Sequence, residues 1–113
     1  MTAPYVPDVG DLVWIDFDPS LGREQKGRRP ALVLSPRDLS ENTGFVIAAP
    51  ITSRVRPFPT SVLLPKGSAI EGEILLHQIR SFDILARQPR LAGRVSGEVA
   101  REVREKMVML VGI

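Results

Sequence analysis

The side chains best suited to chemistry lie close together at residues 22–30 of this 113-residue chain. Glycines stand at positions 22 and 27, and the ionisable residues between and after them are Arg23, Glu24, Lys26, Arg28 and Arg29. Arginine binds phosphate through a planar fork of N–H donors, and a carboxylate can accept a proton. Glycine reaches backbone angles that other residues avoid, which favours a loop. The stretch therefore predicts a loop that binds a phosphate group.

Cleavage of RNA without a metal ion is one reaction that such a loop could serve. The ribose 2′-hydroxyl attacks the adjacent phosphorus, so the site needs a base, cations around the oxyanion and a donor for the leaving 5′-oxygen. Glu24 is the candidate base, Arg29 the candidate cation, and Thr52 offers a hydroxyl and backbone N–H groups. These residues lie on separate segments, and spacing alone does not show that they converge. The alternative is that Glu24 pairs with a neighbouring arginine at the surface and Thr52 caps a turn.

A second loop, at residues 53–59, contains two arginines and two prolines without any periodicity. Arg54 and Arg56, with Phe58 nearby, suit single-stranded nucleic acid, because cations follow its backbone and aromatic rings stack on its bases. A solvated proline-rich loop explains the same residues equally well. Trp14 lies in the middle of a predicted strand, and we expect it in the core rather than on a stacking surface.

The composition excludes several kinds of site. Without cysteine there is no disulfide, thiolate nucleophile or cysteine-based zinc site, and the single histidine, His77, excludes a multi-histidine metal site within one chain. Asp8, Asp11, Asp16 and Asp18 are close in sequence, but strand alternation places Asp16 and Asp18 on one face and Asp11 on the other. We therefore expect no metal and no cofactor.

The apolar segments are short, and none approaches the roughly 18 residues that a membrane-spanning helix needs. The first residues also lack the basic and apolar regions of a secretory signal. These features predict a cytoplasmic protein without membrane association. No linker or composition break divides the chain, so we expect a single domain, residues 1–113.

Runs of strand-forming residues predict strands at 12–17, 31–34, 45–49, 61–64 and 74–76, with one more around 91–95. Residues 38–44 are polar and are expected to form a turn. A helix is predicted only at the end of the chain. Its apolar face is Val99, Val103, Met107 and Leu110. Because crossover helices are missing between the strands, we expect a strongly bent antiparallel sheet or half-open barrel.

Longer motifs connect these residues to a known family. Residues 5–19, the pattern Gly22-x-Glu24-Gln25-x-Gly27-x-Arg29-Pro30, and the later blocks at 50–53 and 78–81 resemble the MazF/PemK family of toxins. The resemblance spans essentially the whole chain. It implies a β-rich α+β fold, an SH3-like half-open barrel of five to seven short antiparallel strands with a C-terminal helix (about 96–111), assembled as a homodimer.

The resemblance also implies an activity, that of an endoribonuclease toxin (mRNA interferase). Members of the family cleave single-stranded mRNA at short preferred sequences without metal, leaving a 2′,3′-cyclic phosphate and a 5′-hydroxyl. A cognate antitoxin neutralises the toxin by laying an acidic, disordered C-terminal tail over the RNA site. Carried over by position, the catalytic residues are Arg29, Thr52 and Glu24. The expected RNA-binding residues are Arg23, Lys26, Arg28, Ser53, Arg54, Arg56, Phe58, His77, Gln78 and Arg80.

His77 departs from the family pattern, because many relatives have aspartate just before the glutamine at position 78. Histidine exchanges protons near neutral pH, so His77 is a candidate auxiliary acid or base, or a structural or RNA-contacting residue. Two other functions remain as alternatives. One is a non-enzymatic toxin of the same barrel superfamily that acts by binding gyrase, although residues 107–113 lack the aromatic end typical of that class. The other is a catalytically inactive homologue.

Overall fold

The computed structural model describes residues 4–17 and 28–112. Within them the strands are β1 (Asp11–Asp16), β2 (Arg28–Val33), β3 (Phe45–Thr52), β4 (Ser61–Leu63), β5 (Glu73–Leu75), β6 (Arg80–Asp83) and β7 (Arg90–Arg94). The helices are α1 (Arg37–Thr43), α2 (Ile84–Arg87) and α3 (Gly97–Val111), and a 3₁₀ turn covers Leu76–Gln78. None of the described helices is both long and apolar enough to cross a membrane.

The seven strands form one antiparallel sheet in the order β4-β5-β3-β2-β1-β7, and β6 pairs with β3 beside this path. Strand β3 is central because it pairs with β6 through Phe45–Ala48, with β2 through Ala48–Pro50, and with β5 at Ile51 and Thr52. The two end strands, β4 and β7, do not pair with each other among the described residues. The sheet is therefore bent but open, and the predicted half-open barrel with a C-terminal helix is confirmed.

Alternation along the strands divides the core into two clusters, one on each face of the sheet. One cluster lies under α3 and includes Leu12, Leu32, Ile51, Val62 and Ile74. The other includes Val13, Ile15, Val33, Val46 and Phe82.

The predicted apolar face of α3 packs against the first cluster through Val99, Val103, Met107 and Leu110. Ser96 caps the N-terminus by accepting a hydrogen bond from the backbone N–H of Val99 at 3.2 Å. Gly112 ends the helix in the left-handed conformation, at φ 72°. The helix covers Gly97–Val111 with residue 96 as its cap, which agrees with the predicted range of about 96–111.

The prediction of a turn at 38–44 is wrong, because residues 37–43 form α1. The helix lacks an apolar period and its N-cap position is Pro36, which offers no side-chain acceptor. The acceptor comes instead from Asp8, whose Oδ1 binds the backbone N–H of Arg37 at 3.0 Å. A cap supplied from so far along the chain leaves no local sequence signal. Strand β6 is likewise not predicted. Helix α2 lies in residues 83–95, where the sequence indicates a short element of no stated type before the last strand.

A buried carboxylate fixes the start of the chain to the sheet. Asp11 is 3% exposed and accepts hydrogen bonds from the hydroxyl of Tyr5 at 2.5 Å and from the backbone N–H of Asp8 at 3.0 Å. It also forms an ion pair with Arg94 of β7. Burial, the hydrogen bond to Asp11 and the charge of Asp11 raise the pKa of Tyr5 well above its ordinary range.

Candidate active site

A cavity of about 520 Å³ lies where the ends of β2, β3 and β5 meet. Four of the predicted site residues line it: Arg29, Thr52, Ser53 and Gln78. The remaining walls come from strands β1, β2, β3 and β5 and from the segment before β5, and include Trp14, Pro50 and Glu71. Residues that are far apart in sequence, on β2, β3 and the 3₁₀ turn, therefore share one concave surface.

The pairing of β2 with β3 explains why Arg29 and Thr52 share this surface. Ala31 of β2 is paired with Pro50 of β3. Arg29 lies two residues before Ala31 on β2, and Thr52 lies two residues after Pro50 on β3. Residues two apart on a strand project from the same face. The register therefore carries a cation and a hydroxyl to the same end of the sheet.

Thr52 is oriented by its own neighbours. Its Oγ1 accepts a hydrogen bond from the backbone N–H of Arg54 at 3.1 Å, which leaves the hydroxyl proton for another acceptor. Its carbonyl oxygen lies against Gly72, where a Cβ atom would be only 2.4 Å away. Gly72 also has φ +135°, a conformation that glycine tolerates and other residues rarely adopt.

A second buried carboxylate, Glu73, holds the loop that carries the predicted RNA-binding arginines. Glu73 is 1% exposed and accepts hydrogen bonds from the backbone N–H groups of Arg56 at 2.8 Å and Phe58 at 3.2 Å. It also accepts one from the hydroxyl of Ser61. Burial alone raises the pKa of Glu73, but these three donors and the charge of His77 outweigh it and hold the pKa below its ordinary value. Arg54, Arg56 and Phe58 themselves are exposed.

His77 connects this loop to the cavity. Its ring meets the ring of Phe58 edge to face, with centroids 5.1 Å apart. On its other side, the Nε2 atom of His77 lies 3.4 Å from Nε2 of Gln78, which lines the cavity. His77 is exposed, so this arrangement fits a contact residue at the rim.

Two predicted RNA-binding arginines are occupied outside the cavity. Arg28 donates to the carbonyl oxygens of Gln88 at 3.0 Å and Trp14 at 3.3 Å. Arg80 stacks on aromatic rings, with its guanidinium carbon 4.7 Å from the ring centroid of Phe82 and 5.5 Å from that of Phe17. Neither residue lines the cavity, and a role of either in RNA binding stays a prediction.

Arg87 and Gln88 bind the described residues on either side of positions 18–27. Arg87 of α2 donates to the carbonyl oxygen of Phe17 at 2.7 Å, and Arg28, the first residue of β2, donates to the carbonyl oxygen of Gln88. Three predicted site residues within that interval, Arg23, Glu24 and Lys26, lie outside the described residues. So does Asp18, one of the four aspartates considered above.

Three site residues were not predicted. Trp14 was expected in the core, but it is 43% exposed and lines the cavity, because α3 covers Leu12 on the same strand face and not Trp14. Glu71 also lines the cavity and accepts a hydrogen bond from the backbone N–H of Gly67 at 2.9 Å. Glu73 is the first residue of β5, and its charge next to two apolar residues was the only available signal.

The arrangement is suited to a phosphodiester flanked by unpaired bases. A guanidinium and a hydroxyl at one end of the cavity can share a phosphate, since both donate hydrogen bonds to anionic oxygens. The amide of Gln78 can hydrogen-bond to a base edge, and the exposed rings of Trp14 and Phe58 offer stacking surfaces. Together these groups suit single-stranded nucleic acid.

Residues 8–111 match the sequence model of the family described as PemK-like, MazF-like toxin of type II toxin–antitoxin system. The endoribonuclease toxin MazF of Escherichia coli (strain K12) is 39% identical over 112 residues, covering 99% of this chain and 100% of that protein. The endoribonuclease toxin ChpB of the same organism is 36% identical over 99 residues, covering 82% of this chain and 84% of that protein.

The fold is equally similar to solved structures. A MazE–MazF crystal structure (form III) from Deinococcus radiodurans superposes with a TM-score of 0.86 at 41% identity, covering 96% of this chain and 99% of that chain. A MazF crystal structure (form I) from the same organism gives a TM-score of 0.84 at 43% identity, with the same coverage of each chain. Sequence and fold thus agree over nearly the full length.

Proposed function

Because the chain belongs to the PemK-like, MazF-like toxins of type II toxin–antitoxin systems, we propose that it is an endoribonuclease toxin. Its substrate is single-stranded mRNA, which it cleaves at a short preferred sequence. The observation that carries this proposal is the convergence of Arg29, Thr52 and Gln78 on one cavity from separate segments. Relatives named endoribonucleases, at 39% and 36% identity, support the same activity.

The proposed reaction is an internal transfer of the phosphoryl group that needs no metal ion. A base removes the proton of the ribose 2′-hydroxyl, whose oxygen attacks the adjacent phosphorus. The bond from phosphorus to the 5′-oxygen breaks, and that oxygen takes up a proton. The products are a 2′,3′-cyclic phosphate and a 5′-hydroxyl.

Each role falls to a residue of suitable chemistry. Glu24 is the proposed base. Arg29 stabilises the oxyanion and donates toward the leaving oxygen, since arginine stays protonated and cannot itself be the base. Thr52 donates its hydroxyl proton to a non-bridging oxygen, which is compatible with the hydrogen bond that its oxygen accepts from Arg54.

We also propose that a cognate antitoxin covers this site with an acidic, disordered tail. Three of the similar crystal structures are of MazE with MazF, which supports a partner of that kind. The arginines at positions 29, 54 and 56 would pair with acidic side chains as they would with phosphates. A homodimer is proposed as the toxin's own assembly, and the exposed Val108, Met109 and Val111 of α3 are apolar surface available to a second copy.

Primer-extension mapping of cleaved RNA tests the proposal. Purified protein is incubated with a long single-stranded RNA in EDTA, beside the variant Arg29→Ala. We expect discrete cuts at one short motif, bearing 5′-hydroxyls, with wild type and none with the variant at equal circular-dichroism signal. Intact RNA with folded wild-type protein would overturn the activity, and loss of cleavage in EDTA restored by magnesium would overturn the metal-free mechanism.

A further inference from the structure

Glu73 is the most deeply buried charged side chain among the described residues, and its burial requires compensation. A carboxylate that leaves water is costly unless hydrogen-bond donors replace its hydration. Its donors are the hydroxyl of Ser61 and the backbone N–H groups of Arg56 and Phe58. Two of the three therefore belong to the exposed segment at residues 53–60, which has no regular secondary structure.

That segment has few other means of holding its shape. Pro57 and Pro59 have no N–H to donate. Within the described chain, its other hydrogen bonds run to the adjoining residues, from the N–H of Arg54 to Thr52 and between Phe58 and Ser61. Among the described residues, Glu73 is thus the one hydrogen-bond partner of this segment that is distant in sequence.

Glu73 is also tied to the candidate catalytic hydroxyl. In the sheet it is the register partner of Thr52, and the preceding Gly72 packs against the Thr52 carbonyl. One residue of β5 therefore connects Thr52, through the backbone, with Arg56 and Phe58, through its carboxylate. The position of Phe58 in turn sets its contact with the ring of His77.

We propose that Glu73 is a positioning residue that sets substrate selectivity by fixing residues 54–58 at the rim of the cavity. This inference rests on the proposed endoribonuclease function and adds a residue to it that touches no RNA itself. The carboxylate holds the backbone, so that the side chains of Arg56 and Phe58 meet nucleotides beside the cleaved bond. Preorganising contact residues through buried hydrogen bonds lowers the cost of binding.

Loss of the Glu73 carboxylate should change KM and leave kcat unchanged. Without the carboxylate, the N–H groups of Arg56 and Phe58 turn to water and the segment samples other positions. Arg29 and Thr52 remain on their strands, so the chemical step is preserved. Binding should weaken, and sequences that the rigid rim rejects should become substrates.

The test compares wild type with Glu73→Gln and with the double variant Glu73→Met/Ser61→Ala. The glutamine places an amide N–H₂ against a backbone donor. The double variant instead replaces both polar side chains, the carboxylate and the hydroxyl, with apolar groups that a core accepts. Asp11→Asn is the matched control, since Asp11 is a buried carboxylate whose three donors, from Tyr5, Asp8 and Arg94, lie outside residues 53–60. Steady-state cleavage of an oligonucleotide and the map of cuts in a long RNA are measured for all four proteins.

We expect both Glu73 variants to raise KM about tenfold, as loss of a hydrogen bond to a charged group implies, with kcat unchanged. Additional cut sites should appear in the long RNA, and the Asp11 variant should keep the wild-type KM and map. If Glu73→Gln does not fold, the double variant decides. Wild-type KM and map in a folded Glu73 variant would overturn the inference, as would equal effects of the Glu73 and Asp11 variants. Absence of cleavage by the wild type would instead overturn the proposed function.

Discussion

Thr52 of β3 and Glu73 of β5 are register partners in the sheet, so a residue with a candidate catalytic hydroxyl lies directly opposite one with a buried carboxylate. Thr52 lies at the last position of β3 and Glu73 at the first of β5. The strand ends are where regular pairing stops and side chains and loops become accessible. The geometry of the cavity is thus set by backbone pairing rather than by the loops alone.

Removing the Thr52 hydroxyl should slow cleavage without unfolding the protein. Thr52→Val keeps the shape and loses the donor, and we expect kcat to fall about 10²-fold, the usual effect of deleting one oxyanion donor. Thr52→Ser keeps the hydroxyl and should retain most of the activity. Single-turnover cleavage of an oligonucleotide measures both, and equal rates for valine and serine would exclude a role of the hydroxyl.

Glu73 should make the free energy of unfolding depend on pH in acid. Its pKa in the folded protein is held below the ordinary value of about 4.3, so it stabilises the fold above that pH. This contribution is lost as pH falls through the lowered folded-state pKa. Urea unfolding is measured for wild type and Glu73→Gln between neutral and acid pH. The free energy of unfolding should fall more steeply towards acid pH in wild type. Parallel curves would contradict this expectation.

Tyr5 should make the free energy of unfolding fall as pH rises in alkali. Its raised pKa means that the folded protein keeps it neutral, while the unfolded chain ionises it near pH 10. The stabilisation is complete below that pH and is lost as pH rises towards the folded-state value. Because Tyr5 is the only tyrosine, tyrosinate absorbance reports on it alone and should appear only with unfolding. Absorbance that rises near pH 10 in folded protein would contradict the burial of its hydroxyl.

Gly72 should tolerate no side chain. Gly72→Ala places a methyl group 2.4 Å from the Thr52 carbonyl at φ +135°, and we expect it to destabilise the fold by more than about 1 kcal/mol and to reduce cleavage. Gly67→Ala is the control, since Gly67 also has a positive φ but open space around it. Thermal unfolding of both variants separates the effect of the contact with Thr52 from the effect of the positive φ. Equal losses would show that backbone conformation, rather than the contact with Thr52, decides.

Local patterns predicted the parts of the fold that depend on nearby residues. Strands β1 to β5 and β7 follow from strand-forming runs, and α3 follows from an apolar face at helical spacing. Helix α1 depends on Asp8, and the exposure of Trp14 depends on where α3 ends its cover of β1. Such features are properties of packing between distant segments, and no window of sequence contains them.

The candidate site also contains residues that the sequence indicates and one that only the packing of distant segments reveals. Side-chain chemistry and the family resemblance both indicated Arg29 and Thr52, and the resemblance alone indicated Gln78. The structure brings these three residues to one cavity. Glu73 was missed because a charged residue in a short strand resembles a solvent-facing position. Only the pairing of β5 with β3 and β4 shows that it points inward to Ser61 and the loop.

Arg87 and Gln88 are adjacent in sequence, and they bind the residues on either side of positions 18–27, through the carbonyl of Phe17 and the guanidinium of Arg28. Both attachments use backbone carbonyl oxygens or residues outside 18–27, so they do not depend on the identity of the amino acids in that interval. Sequence changes at positions 18–27 therefore remove neither attachment.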